Sequence, residues 1–373
     1  MANAYTPGLT VSGDIIVRRT RRLPIKGEVL VKQGDKVEPE QVIARALLPG
    51  PLQTIKMAEK LGVEARDVAG FFQLKAGDPI EKGQVVAQTK GFLGMGKHTI
   101  TSDYTGTVES VSGITGSVLI REASIPVDVK GYIQGQIAQV MPEEGAIIET
   151  RGAMVQGIFG VGGERVGIIR VAAESTDKVL EASDIKADDK GKIVVGGAGF
   201  SYDAIVRASE VGATALVAGG LKDNDLVKFL GYDIGVAITG QEQINLTLMV
   251  TEGFGFLNMA QRTLDLLKSL EGKEASINGA TQIRAGVIRP EIIVPLANTP
   301  AGEPAKDSSG ELKVGTPIRV IREPYFGKLA AVTDLPSQLM VVDSGTEVRV
   351  LKAKLENGEE VVVPRANVEI IAT

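Results

Sequence analysis

The chain has no cysteine and no tryptophan, and its one histidine is His98. Without cysteine there is no disulfide, no thiol nucleophile and no iron–sulfur ligation. A single histidine excludes a multi-histidine zinc site and any triad that needs a cysteine or a second histidine. Aromatic residues are scarce. No apolar run approaches 18 residues, so no membrane span is expected. The first residues, MANAYTPGLTVSGD, lack a basic stretch followed by an apolar core. No signal peptide is expected there, and the expected compartment is the cytoplasm.

What remains is an ordinary globular composition. A length of 373 residues suggests two to three domains. Hydrophobic residues at 43% suffice for real cores, and 23% charged residues argue against general disorder. The net charge of −5 gives no global drive toward nucleic acid or an anionic membrane. The 45 glycines point to many tight turns. One basic cluster stands out: Arg18, Arg19, Arg21 and Arg22. A solvated strand end or turn accounts for it, and a phosphate or RNA contact is the alternative.

The chain repeats itself near its start. Residues 32–44 (KQGDKVEPEQVIA) align without gaps to residues 75–87 (KAGDPIEKGQVVA). Lys, Gly-Asp, Glu, Gln, two aliphatics and Ala recur at equal offsets. Gly-Asp makes a tight turn, because glycine accepts positive φ and aspartate bonds nearby backbone. The alternating aliphatics on either side predict half-buried strands. Residues 101–120 add another strand, glycine turn and strand. Between the repeats, apolar residues from 52 to 72 fall near helical spacing and predict a small helical insert.

The run Gly-Asp-x-Val followed by Gln-Val-Ile-Ala resembles the barrel-sandwich hybrid domains of biotinyl and lipoyl carriers, of membrane-fusion proteins and of the N-terminal part of the Rnf complex's C component. In those families a segment like Tyr104-Thr-Gly-Thr-Val108 closes the sandwich. The resemblance covers residues 20–150 and implies an all-β barrel-sandwich domain over residues 1–150. Carriers of this kind present a modified lysine flanked by Met or an acidic residue. Lys97, beside His98, lacks that flank pattern, so covalent lipoylation or biotinylation is not expected. An Rnf-like redox role would need the absent cysteines.

After residue 150 the pattern changes. Glycines 157, 160, 162, 163 and 167 imitate a dinucleotide fingerprint, but a strand follows them where that motif requires a helix. A glycine-rich hairpin or bulge fits better. Strands are then predicted at 192–199, 214–220, 234–240 and 247–255. Helices are predicted at 201–212, opened by Ser201 and stopped by Gly212, at a short stretch after Asp223, and at 257–272. Continuous aliphatic strands with short helices between them predict a central α/β domain, residues 151–296, with a mostly parallel sheet.

Four of these strands end in small residues: Gly196 and Gly197, Gly219 and Gly220, Thr239 and Gly240, and Thr251, Glu252 and Gly253. Ligands of open α/β sheets bind beyond the carboxyl ends of the strands, and bare N–H groups there suit an anion. Arg284 and Arg289 flank a following strand and could clamp an anionic ligand. Compact loops, which also favour glycine, explain the same pattern. Glu252 argues against a phosphate, or for a base or metal role.

Residues 297–314 are rich in Pro, Ser, Gly and charge and predict a linker. Residues 315–373 hold alternating strands around Asn357-Gly358, a strong hairpin signal. This stretch resembles the SH3-like barrel of the KOW class found in transcription elongation factors and ribosomal proteins. The residues that carry the likeness are Ile318-Arg-Val-Ile-Arg322, Phe326-Gly327-Lys328 and Val363-Pro-Arg-Ala-Asn-Val368. The resemblance implies a protein- or RNA-binding surface, with Arg322, Tyr325, Phe326 and Lys328 as contact residues.

The expected fold class is therefore multidomain and mixed: a barrel-sandwich hybrid, a central α/β domain and a C-terminal SH3-like β-barrel. No nucleophile–base pair is evident, and the leading expectation is a non-catalytic binding or assembly protein, with a protein partner or self-association. One alternative is an enzyme or sensor that binds an anionic small molecule or nucleotide at the strand ends. The other is an RNA-associated factor acting through the KOW-like module. No cofactor follows from the sequence.

Overall fold

The structure is a computed structural model. It describes residues 9–89, 99–233, 239–282, 288–296, 312–320, 324–325, 328–336, 338–341, 347–355 and 357–370. The described residues are mostly β, 46% strand and 15% helix, and are organised around one large mixed sheet of 13 strands.

Both copies of the N-terminal repeat fold as the same turn. Gly34 and Gly77 take φ of +90° and +93°. The aspartate after each glycine accepts a bond from the backbone N–H three residues earlier, Asp35 from Lys32 at 2.8 Å and Asp78 from Lys75 at 2.7 Å. Gln41 and Gln84 accept from the N–H groups of Glu38 and Glu81 in the same register. Such local side-chain bonds hold a turn that sequence repetition alone would leave free.

The two copies do not share a core. The first packs Val31, Val37 and Ile43 with Ile133, Ile137 and Ile148. The second packs Ile80, Val86 and Ile100 with Ile55, Val108, Val118 and Ile120. The chain leaves the first module along Val42–Leu48, builds the second, and returns along Ile125–Lys130, which pairs antiparallel with Val42–Leu48. One module is thus nested in the other. At the crossing, a Cβ on Gly50 would lie 2.2 Å from the carbonyl oxygen of Glu122, so the outgoing and returning backbones touch there and only glycine fits.

The stretch predicted as a helical insert is part of the inner module. Leu52–Ile55 is a strand, paired with Val118–Arg121. Short helices follow at Met57–Leu61 and Val68–Phe71, and Met57, Leu61 and Val68 plug the inner core. The helical spacing was real, but its first four residues were claimed by a strand partner that lies more than 60 positions away.

In the central region the strands Glu164–Val171, Lys192–Val195, Ala215–Leu221 and Thr247–Phe254 are mutually parallel neighbours. The aliphatic runs of the last three are buried on both faces. Ile193, Val195, Val217 and Met249 face the helix Gln261–Ser269 through Leu264 and Leu267. Val194, Leu216, Leu248 and Val250 face the helix Tyr202–Val211 through Ala204, Ile205 and Ala208. The period of two along each strand sends alternate residues to opposite cores. Ser201 caps its helix by accepting from the N–H of Ala204 at 3.3 Å, and Gly212 ends it at φ +77°. The expectation of a mostly parallel sheet needs correction. Phe159–Val161, Glu274–Asn278 and Glu291–Pro295 join the same sheet antiparallel, so the sheet is mixed.

The 12-residue strand Gly145–Gln156 ties the outer module to this sheet. Its first half pairs with Gly135–Met141 of the module and its second half with Glu291–Pro295 of the central sheet. Val11–Arg22 runs antiparallel along its other edge. Toward the C-terminus, Pro317–Val320, Leu329–Asp334, Leu339–Val341, Glu347–Leu355, Glu360–Pro364 and Val368–Ile370 form a separate six-stranded antiparallel sheet. Its core holds Ile318, Val332, Leu351 and Val363. The expected Asn357-Gly358 hairpin is present, with Gly358 at φ +87°.

The nesting makes a direct prediction. Replacing residues 51–121 by a two-residue Asn-Gly turn should leave the outer module and central sheet folded, with a cooperative melt within about 4 °C of the parent. Calorimetry and circular dichroism check this; loss of the cooperative transition would contradict separate cores.

Candidate functional site

The four arginines near the N-terminus do not form a bare basic patch. They lie on the strand Val11–Arg22, and each meets a carboxylate. Arg18 pairs with Glu149 at 2.6 Å, Arg21 with Glu164 at 2.5 Å and Arg22 with Glu144 at 3.6 Å. Arg19 binds both carboxylate oxygens of Glu291. Tyr132, 4% exposed, donates its hydroxyl to the same carboxylate at 3.3 Å, and the Arg21 guanidinium stands 5.4 Å from its ring centre. Burial first, and then the Glu291 charge, push the Tyr132 pKa well above the ordinary tyrosine value. Tyr132 also adopts φ +69°, a conformation that costs a non-glycine residue roughly 1–3 kcal/mol. This network joins the module, the strand Val11–Arg22 and the central sheet. Arg19→Met should destabilise the fold by about 3 kcal/mol, because Glu291 keeps its charge in a buried place. Denaturant unfolding measures this, and a loss below about 1 kcal/mol contradicts it.

The residues expected to form one ligand site fall into two groups at opposite ends of the parallel strands. Gly196, Gly197, Gly219, Gly220, Thr251, Glu252 and Gly253 lie at the carboxyl ends. Their backbone donors are engaged within the protein: Gly196 to Val217 at 2.7 Å, Gly197 to Lys178 at 3.0 Å, Gly219 to Gly197 at 2.8 Å and Gly220 to Ala198 at 3.1 Å. Side chains are excluded there by neighbouring backbone. A Cβ on Gly219 would lie 1.8 Å from the Leu257 carbonyl oxygen, and one on Gly220 would lie 2.1 Å from that of Gly255. Segment 255–257 therefore packs directly over the strand ends. Thr251 donates its hydroxyl to the Ala218 carbonyl at 3.4 Å.

Glu252 is buried in a structural role. It accepts from the N–H of Ala260 at 3.1 Å and meets Arg319 of the C-terminal sheet at 3.4 Å, with both side chains under 10% exposed. The pair crosses the boundary between the central and C-terminal regions. Glu252→Ala takes a counter-charge from the buried Arg319, so the C-terminal sheet should loosen first. A new, lower-temperature calorimetric transition is the expected result, and an unchanged melting profile is the contrary one.

Thr239 and Gly240 belong to the second group, at the amino ends, beside Gly160, Gly279 and Thr281. Thr239 accepts from the N–H of Thr281 at 2.8 Å and donates to the Gly160 carbonyl at 2.7 Å. The strand predicted to end at these two residues falls on 234–238, outside the described residues. Arg289 is half-buried near this end, where Pro290 accepts from the Gly157 N–H at 2.8 Å. Arg284 lies outside the described residues, as do Lys97, His98, Arg322 and Phe326. In the C-terminal module Tyr325 packs against the core, and the exposed Lys328 ammonium stands 5.7 Å from its ring centre.

One feature escaped the sequence patterns. Phe254 and Phe256 are 47% and 39% exposed at the carboxyl end of the Thr247–Phe254 strand. Phe159 packs against Phe254 with the rings tilted by 47° and 4.8 Å between their centres, and the Lys222 ammonium lies 4.5 Å from the Phe256 ring centre. Gly199 makes room for this ledge, since a Cβ there would come within 2.5 Å of the Phe256 ring. The signal was available as Phe-Gly-Phe at 254–256, in a chain with nine phenylalanines and six tyrosines. Among the described residues, no cluster of three or more acidic or histidine side chains is placed to hold a metal, and no helix is long and apolar enough to cross a membrane.

No protein-family model matches the chain, and no curated protein matches it.

Proposed function

We propose that the protein is a non-catalytic binding or assembly protein, and that the Phe159–Phe254–Phe256 ledge is its principal docking surface for a protein partner or a second copy of the chain. The observation that carries this reading is the combination at the carboxyl strand ends. The glycine N–H groups there are taken up by protein carbonyls, so little remains to hold an anion, while phenyl rings stand in solvent above them. Clustered exposed aromatics mark interaction surfaces, whereas single exposed apolar residues do not. The lysine over Phe256 adds a cationic rim, which suits a partner surface with acidic residues around an apolar centre.

On this reading the nested N-terminal modules are barrel-sandwich hybrids and the C-terminal sheet is an SH3-like barrel, each a rigid β platform with a polar exterior. RNA binding has less support, because the arginines of the strand Val11–Arg22 are spent on carboxylates.

Native mass measurement of the purified full chain tests the proposal. The parent should run as an oligomer or a defined complex, and Phe254→Ser with Phe256→Ser should shift it to monomer with an unchanged melt. A parent that is a lone monomer, or a double variant with the parent's assembly state, would overturn it.

A further inference from the structure

At the amino ends of the parallel strands, a carboxylate of the chain itself rests on two glycine N–H groups. Gly162 and Gly240 take φ of +84° and +105°. Gly162 donates to Glu242 Oε2 at 2.8 Å, and Gly240 donates to the same oxygen at 2.8 Å and to Oε1 at 3.1 Å. Converging backbone N–H groups of this kind form a concavity that holds an anion. Glycine is required at both places: a Cβ on Gly162 would lie 2.9 Å from the Leu246 carbonyl oxygen, and one on Gly240 would lie 2.6 Å from Ala280 Cβ.

Arg165 stands in the same loop cluster. It donates to the Ile244 carbonyl at 2.5 Å and to the Thr247 hydroxyl at 3.1 Å, and Thr247 in turn donates to Gly163. The guanidinium is half-buried, and burial lowers its pKa. Arg19, Arg21, Arg45, Arg121, Arg151 and Arg170 all meet a carboxylate within 2.9 Å. Among the described residues Arg165 meets neutral oxygens instead. A cation held in place by neutral acceptors beside an anion-shaped cradle keeps its charge available for a ligand.

We propose that Gly162, Gly240 and Arg165 form an oxyanion-binding subsite, and that Glu242 occupies its two-glycine half as a tethered stand-in for the ligand, leaving Arg165 for the ligand's remaining charge. The ligand is a small molecule presenting a phosphate or carboxylate group. Because Glu242 is attached to the chain, its effective concentration at the site is high. Dilute free anions therefore compete poorly, and the natural ligand displaces Glu242 by adding contacts from the rest of its structure. The site is independent of the aromatic ledge, which lies at the other end of the strands.

Inorganic phosphate is the probe, added to the full chain and to Glu242→Gln. Glutamine keeps an oxygen for the two glycines, so the loop stays folded, and it removes the competing charge. Phosphate should bind Glu242→Gln about tenfold more tightly than the parent, the worth of one charge-assisted hydrogen bond. Thermal shift and the amide resonances of Gly162 and Gly240 report it. Adding Arg165→Met to Glu242→Gln should abolish the gain. Sulfate and acetate titrations separate phosphate-type from carboxylate-type ligands. No phosphate-dependent shift in Glu242→Gln, or the same shift after Arg165→Met, would overturn the proposal. Should Glu242→Gln fold poorly, Glu242→Asp, one methylene too short to reach both glycines, replaces it with the same expected gain.

Discussion

The strand Gly145–Gln156 joins two parts of the one large sheet. A strand can hydrogen-bond along only two edges, and here one edge is given entirely to Val11–Arg22. The other edge is divided, its first half bonded to the outer module and its second half to the central sheet. A one-residue slip along this strand would turn every side chain to the wrong face in both regions together. Ile148 would leave the module core, and Ala153 and Val155 would leave the central core. The placement of the nested modules against the α/β region therefore follows from one register.

Charge reinforces that register. The carboxylates that meet the Val11–Arg22 arginines come from Gly145–Gln156, from Glu164–Val171, from Glu291–Pro295 and from the turn at Glu144. The Arg19–Glu291 pair is the buried one of the four; such a pair adds little net stability over apolar contacts, but misplacing either partner leaves an unpaired buried charge. Tyr132 sits at the centre of this network in a conformation that disfavours it. The backbone is held there from both sides, by its own N–H to the Pro39 carbonyl and by its hydroxyl to Glu291. The Glu252–Arg319 pair fixes the C-terminal sheet in a comparable way. The Arg19–Glu291 and Glu252–Arg319 pairs thus lie at boundaries between regions, while the Arg170–Asp189 pair is buried inside the central one.

What was legible in the sequence was local. The Gly-Asp turns, the Ser201 cap, the Gly212 stop and the Asn357-Gly358 hairpin depend on neighbours within a few residues, and the structure has them. What was not legible depended on distant pairing. The repeat copies could be aligned, but nothing local indicates that the second is nested within the first with a core of its own. Leu52–Ile55 carries helical spacing and becomes a strand because Val118–Arg121 offers it an edge. Glycines at strand ends look alike whether they face a ligand or a neighbouring carbonyl. Only the approach of Leu257 and Gly255 separates the two cases at Gly219 and Gly220. The division of Thr239 and Gly240 from the other strand-end residues is likewise a matter of topology.

A rigid frame set by one strand leaves function to its ends. At the carboxyl end the backbone is closed by its own loops and presents phenyl rings; at the amino end two glycine N–H groups hold Glu242, and Arg165 stands in the same loop cluster. Native-state hydrogen exchange tests the frame most directly. The amides of Gly145–Gln156 should be the slowest in the chain, and the outer module and central sheet should exchange with one shared opening free energy. Faster opening of the outer module, with Gly145–Gln156 protected only in its second half, would contradict a frame set by that strand.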